Sequence, residues 1–144
     1  MVLETSRLSL RCLTDGDYAD LCRVMLQDPE VMYAYAHAFS DEEAWEWLHR
    51  QQTRYREDGF GLWAVELRKT GELIGQCGVT WQTVRDRRVP EIGYLLGKSS
   101  WGRGYAIEAA RACSYSGLRR GIFHHPRQQP GIPAGGHPQR HAAL

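Results

Sequence analysis

Between Glu91 and Ala110 the chain reads Glu-Ile-Gly-Tyr-Leu-Leu-Gly-Lys-Ser-Ser-Trp-Gly-Arg-Gly-Tyr-Ala-Ile-Glu-Ala-Ala. That is a strand-like run, a glycine turn and then residues that favour helix. The first turn of a helix leaves backbone N–H groups without acceptors and carries partial positive charge, so a pyrophosphate can bind there if nothing bulky blocks its approach. Gly102 and Gly104 place no Cβ in the way. A G-x-G before a helix is also what an ordinary loop looks like, and spacing alone does not choose between the two. Glu91 opens the strand-like run, where a carboxylate can serve as a general base or simply be a solvated charge at a strand end. The four cysteines, Cys12, Cys22, Cys77 and Cys113, show no C-x-x-C spacing. They therefore suggest reduced thiols, with neither a disulfide framework nor a structural metal site.

The elements that would hold these groups follow from periodicity. Arg7 to Leu13 alternates polar and apolar side chains, which predicts a first strand. After the cap-like pair Thr14-Asp15, Tyr18, Leu21, Cys22 and Met25 recur at helical spacing until Asp28-Pro29 stops the pattern. Ser40 and Glu43 have the spacing of a capping box, and Ala44, Trp47, Leu48 and Tyr55 give a second helix its apolar stripe up to Gly59. Phe60 to Leu67 and Leu73 to Thr80 read as strands joined by the turn Arg68 to Glu72, with Gly71 where positive φ is needed. Trp81 to Arg88 is expected to be a polar connection, and Val89 to Leu96 a further strand whose Pro90 is tolerable only at its start or on an edge. Ile107 to Ala112 is a run of helix formers. The expected order is strand, two helices, three antiparallel strands, helix.

A length of 144 residues suits one domain, and a formal charge of +1 argues against a phosphate-tracking or membrane-bound basic surface. Nucleic acid is not an expected partner. Met1 to Arg7 is too polar for a signal segment, and no apolar run approaches the roughly 18 residues of a membrane helix. The expectation is a soluble, cytoplasmic protein without a membrane partner.

The segment from Glu91 to Ala110 resembles the coenzyme A-binding motif of GNAT acetyltransferases, above all the branch that includes ribosomal-protein N-terminal acetyltransferases. That branch commonly reads E-I-G-Y-x-L, a short linker, then W-G-x-G-Y-A-x-E-A. Glu4 to Arg11, Asp28 to Met32, Gly61 to Val65 and Gly71 to Gly78 match its other landmarks in order, so the resemblance covers residues 4 to 120. Trp101 stands where arginine or glutamine is commoner in the superfamily, but tryptophan is frequent in this branch. The resemblance implies a mixed α/β fold, a mainly antiparallel sheet with flanking helices, and acetyl-coenzyme A as cofactor. By position, Tyr94, Leu95 and Leu96 would offer backbone groups to the pantetheine arm, and Trp101, Gly102, Arg103, Gly104, Tyr105 and Ala106 would wrap the pyrophosphate. It implies direct acetyl transfer to a primary amine such as a protein N-terminus. Cys77 and Cys113 would then be core residues, Glu91 a base acting through water, and a backbone N–H near Leu95 an oxyanion donor. Acceptor-binding residues are expected around Tyr33 to Phe39, a stretch that could equally be apolar packing. Acceptor identity, the general acid and the oligomeric state stay open.

From Gly121 onward the composition changes to proline, histidine and glycine with no acidic residue. Residues 121 to 144 are expected to be an unpacked tail, standing where the family has a splayed strand, an asparagine turn, a helix and closing strands. Back-translated with freely chosen third bases and shifted by one nucleotide, the codons from His124 can encode Ile-Ile-Arg-Asp-Asn-Asn-Pro-Ala-Ser-Arg-Arg-Val-Ala-Ile-Arg-Asn-Gly-Met. This is similar to the missing N-x-x-S segment, which suggests a frame-shifted tail; sequencing the gene checks it. Metal binding by His124, His125, His137 and His141 is the rival, although their spacing matches no helix or strand face. Without the C-terminal third, two alternatives to an active enzyme follow: a coenzyme A-binding remnant that does not catalyse, and a chain that cannot fold alone because an unpaired cofactor strand is exposed.

Overall fold

The computed structural model describes residues 2–123. Five strands form one antiparallel sheet in chain order: β1 (Leu3–Glu4), β2 (Leu8–Arg11), β3 (Leu62–Leu67), β4 (Leu73–Val84) and β5 (Arg87–Leu96). The main helices are α1 (Tyr18–Leu21), α2 (Asp41–Asp58) and α3 (Tyr105–Arg119). Both faces of the sheet are covered. On one, Leu8, Leu10, Val65, Cys77, Ile92, Tyr94 and Leu96 pack with Ala109, Ala110 and Cys113 of α3. On the other, Ala64, Leu73 and Leu95 pack with Leu21 of α1 and Ala44 and Leu48 of α2. Val65 lies opposite Gly75 and Glu66 opposite Leu73, so Ile74 is an extra residue on β4. This bulge switches the phase of the strand, sending Ile74 and Cys77 to the α3 face.

Most expected elements are present, with informative differences. Ser40 caps α2 as its spacing predicts: its Oγ accepts from the Glu43 N–H at 3.2 Å, and its own N–H donates to Glu43 Oε1 at 2.9 Å. The helix ends at Gly59 with φ 78°. Ser40→Ala should lower unfolding stability by about 1 kcal/mol, measured as a fall in the urea midpoint at unchanged slope. The first helix is less regular than its spacing suggests, because α1 passes directly into a π-helical turn over Cys22–Leu26. The β3–β4 turn has Gly71 at φ 75° as expected.

The polar connection expected over Trp81 to Arg88 is instead a hairpin. β4 runs to Val84, β5 begins at Arg87, and Arg85 and Asp86 turn the chain with φ 50° and 64°. Two central residues with positive φ match a tight two-residue turn. Pro90 lies inside β5 opposite Trp81, on the outermost described strand of the sheet. The last helix is longer than expected and continues to Arg119. The boundary expected at Arg120 also falls short, because Ile122 N–H donates to the Gly117 carbonyl at 2.8 Å and Phe123 is buried. A Cβ on Gly117 would lie 2.3 Å from the Phe123 ring, so the glycine makes room for it. The remainder of the expected tail, its histidines and its frame-shift reading lie outside the described residues.

Candidate functional site

The hairpin fixes which way each peptide of β5 points. In a two-residue hairpin the flanking pair, Val84 and Arg87, exchanges both hydrogen bonds, and pairs alternate from there. Leu95 therefore directs its peptide groups at Gln76, whereas Ile92, Tyr94 and Leu96 direct theirs away from β4. Three observations agree with this phase. Pro90, which has no N–H to give, falls in a pair that needs none; Gly97 N–H donates to the Ile74 carbonyl at 2.8 Å; and the Leu96 carbonyl accepts from Trp101 Nε1 at 2.9 Å. Of the three residues expected to present backbone groups outward, Tyr94 and Leu96 do so and Leu95 does not. An oxyanion donor near Leu95 would have to be a neighbouring N–H, since the Leu95 N–H is directed at Gln76.

Beyond β5 the chain makes a short turn over Lys98–Ser100 and reaches Trp101, whose own N–H donates to the Lys98 carbonyl at 3.2 Å. Trp101 thus anchors the loop by ring and backbone and does not aim its N–H outward. Gly102 and Gly104 follow with φ 74° and 80°. Positive φ is a second reason for glycine here besides the missing Cβ. A Cβ on Gly102 would meet nothing within 4 Å, so that position opens to space. Gly104 is the N-cap of α3 and gives no side-chain cap. The N–H groups of Tyr105, Ala106 and Ile107 therefore have no intrahelical acceptor, and Glu108 N–H is the first to close a helical turn, onto the Gly104 carbonyl at 3.1 Å.

A set of contacts that sequence reasoning missed holds this loop. Arg7 Nε donates to Glu108 Oε1 at 2.7 Å, Arg7 Nη1 to the Arg103 carbonyl at 2.9 Å, and the Arg7 backbone N–H to Glu108 Oε2 at 3.0 Å. The Arg7 guanidinium also lies 4.4 Å from the centre of the Tyr105 ring, and Thr5 Oγ1 donates to Glu108 Oε2 at 2.5 Å. Burial alone would push the Glu108 carboxyl up, but Thr5 and Arg7 bring it below the ordinary glutamate range. The partners are 101 residues apart in sequence, so no local spacing reveals them.

Glu91 lies opposite Thr80 and is half-buried. Strand alternation puts it with Leu95 on the α1/α2 face, across the sheet from α3. On that face Tyr35, Phe39 and Trp47 form an edge-to-face aromatic group, and Trp47 Nε1 donates to the buried Gln76 Oε1 at 3.1 Å. Cys77 and Cys113 meet with sulfurs 3.7 Å apart in the core, as expected. The hydrogen bond between them and complete burial push the Cys77 thiol well up, which keeps it a poor nucleophile. Among the described residues no helix is long and apolar enough to cross a membrane.

Comparison with known proteins agrees with this architecture. YkkB of Bacillus subtilis is 41% identical over 121 residues, which are 84% of this chain and 70% of that protein. The crystal structure of an acetyltransferase from Agrobacterium tumefaciens superposes with a TM-score of 0.69 at 25% identity, covering 83% of this chain and 68% of that one. The ribosomal alpha-N-protein acetyltransferase RimL, solved in complex with coenzyme A, superposes with a TM-score of 0.63 at 16% identity, covering 84% of this chain and 69% of that one. The model of the acetyltransferase (GNAT) domain matches residues 7–125, and with that match the glycine loop, the edge strand and the helix behind them acquire a lineage: this chain belongs to the GNAT acetyltransferase family.

Proposed function

We propose that this protein transfers an acetyl group from acetyl-coenzyme A to a primary amine, with a protein N-terminus as the acceptor class. The observation that carries this reading is the uncapped start of α3 behind two left-handed glycines, at the end of the outermost described strand. A diphosphate suits that position: it would accept from the N–H groups of Gly102 to Ala106, with the open space at Gly102 admitting its oxygens. The pantetheine arm would lie along β5 and pair with the outward peptide groups of Tyr94 and the outward N–H of Leu96, whose carbonyl is held by Trp101. When bound, acetyl-coenzyme A supplies an activated thioester that an amine can attack directly.

The chain's own task is then to deliver a neutral amine. Deprotonating an α-amine with a pKa of about 8 costs only about 1 kcal/mol at pH 7, against roughly 4–5 for a lysine at about 10.4. A carboxylate acting through water is adequate for the first. Glu91 suits this role by its position on the face opposite α3, the face that also carries the aromatic group of Tyr35, Phe39 and Trp47, which would line the acceptor site. Glu91→Gln should slow acetylation of an α-amine about tenfold at pH 7, and the deficit should shrink as pH rises past the amine's own pKa of about 8. Initial rates across pH with a short peptide acceptor measure both.

The test of the whole reading is calorimetric titration of coenzyme A into the protein, together with thiol release from acetyl-coenzyme A in the presence of peptides with a free N-terminus. Heat with peptide-dependent thiol release supports it. Heat without thiol release would mean a coenzyme A-binding remnant, and absence of both would remove the reading altogether.

A further inference from the structure

We infer that Arg7 is a positioning residue for the diphosphate cradle, holding the Arg103 carbonyl and compensating Glu108 so that the Gly104 N–H faces the anion. The inference rests on the α3 start being the coenzyme A site. A trans peptide points its C=O and the following N–H in opposite directions. Because Arg7 Nη1 binds the Arg103 carbonyl, the Gly104 N–H is turned away from that guanidinium nitrogen, and it directly precedes the N–H groups of Tyr105 to Ile107, which have no intrahelical acceptor. Without that anchor the peptide can rotate, and a carbonyl turned towards a diphosphate repels it. The left-handed glycines on either side of Arg103 give the loop the freedom to make such a flip, so something must hold it.

Charge gives a second reason. Glu108 lies in the first turn of α3, and its side chain is 18% exposed. Left unpaired there, its carboxylate would oppose an incoming anion. Arg7 answers it with two bonds, one from the guanidinium Nε and one from the backbone N–H, while Nη1 reaches the Arg103 carbonyl and the guanidinium lies over Tyr105. Lysine has no rigid fork and cannot serve these acceptors together. As a surface ion pair the Arg7–Glu108 contact contributes little to stability, since Arg7 is 44% exposed. Its conspicuous effect should fall on ligand binding.

The experiment compares Arg7→Gln and Arg7→Lys with the parent chain, measuring coenzyme A affinity by calorimetry and turnover of S-acetylpantetheine, a donor that lacks the diphosphate. Arg7→Gln should weaken coenzyme A about tenfold, the scale of one charge-assisted hydrogen bond, and Arg7→Lys roughly threefold. Turnover of S-acetylpantetheine should stay unchanged in both. Unchanged coenzyme A affinity in the two variants overturns the inference. Equal losses with both donors also overturn it, because they indicate a general structural role. Should Arg7→Gln not fold, the Lys variant alone decides by the same two readings. If the parent chain binds no coenzyme A, the assignment of the site fails first, which separates that failure from the failure of Arg7.

Discussion

Gly104→Glu is expected to weaken coenzyme A binding by at least roughly 100-fold. Two penalties combine at this residue. Gly104 has φ 80°, a conformation that costs an L residue about 1–2 kcal/mol. The new carboxylate would also lie at the mouth of α3, and a Cβ there is 3.4 Å from Arg7 Nη2, close enough to draw Arg7 away from its present partners. Like charges about 4 Å apart at an effective dielectric near 20 oppose each other by about 4 kcal/mol, so even a third of that added to the backbone term reaches the hundredfold mark. Gly104→Ala isolates the backbone term and should cost about tenfold. Titration calorimetry on both variants, with thermal unfolding as the control, gives the comparison. Parent-like affinity in the glutamate variant would show that the diphosphate is held elsewhere.

The largest stability effect should come from Gly78. A Cβ at this position would lie 1.8 Å from the Gly61 carbonyl oxygen and 2.8 Å from the Leu62 Cα. Both are backbone atoms of or beside a neighbouring strand, so no rotamer change relieves the clash, and β3 and β4 would have to separate in the middle of the sheet. Gly78→Ala should destabilise the fold by more than about 4 kcal/mol, a magnitude reserved for overpacking of this severity. Gly71→Ala is the control, because a Cβ there meets nothing and only its φ of 75° is strained; it should cost about 1–2 kcal/mol. Urea unfolding followed by circular dichroism distinguishes the two. Equal effects would mean that the strands can shift apart at little cost.

Sequence reasoning succeeded where a local pattern has a local cause. The Ser40–Glu43 capping box, the left-handed Gly71 and the glycine loop before α3 each depend on residues within a few positions of one another. It failed where the cause is distant or chemically disguised. The Arg85-Asp86 turn contains neither glycine nor asparagine, and arginine at positive φ is unusual, so the longest hairpin among the described residues reads as a polar linker. Side-chain type does not separate Leu95 from Tyr94 and Leu96, because it says nothing about peptide orientation; that phase is set by the turn ten residues upstream. The π-helical turn after α1 and the two-residue β1 leave no periodic signal of their own. Arg7 and Glu108 were visible as residues but not as a pair, since only the docking of α3 beside β1 brings them together.

That pairing also orders events in time. A hairpin such as β4–β5 can form from neighbouring residues within microseconds, but the clamp on the glycine loop needs both ends of the described chain. Contacts so remote in sequence are slow to form, because loop closure must precede any reward from them. During synthesis residue 7 waits for residue 108 to emerge, and a chain arrested earlier has the edge strand but no closed cradle. With the start of α3 as the proposed coenzyme A site, occupancy by nucleotide would report completion of the sheet-and-helix assembly, and a nucleotide column would retain only molecules that have finished folding.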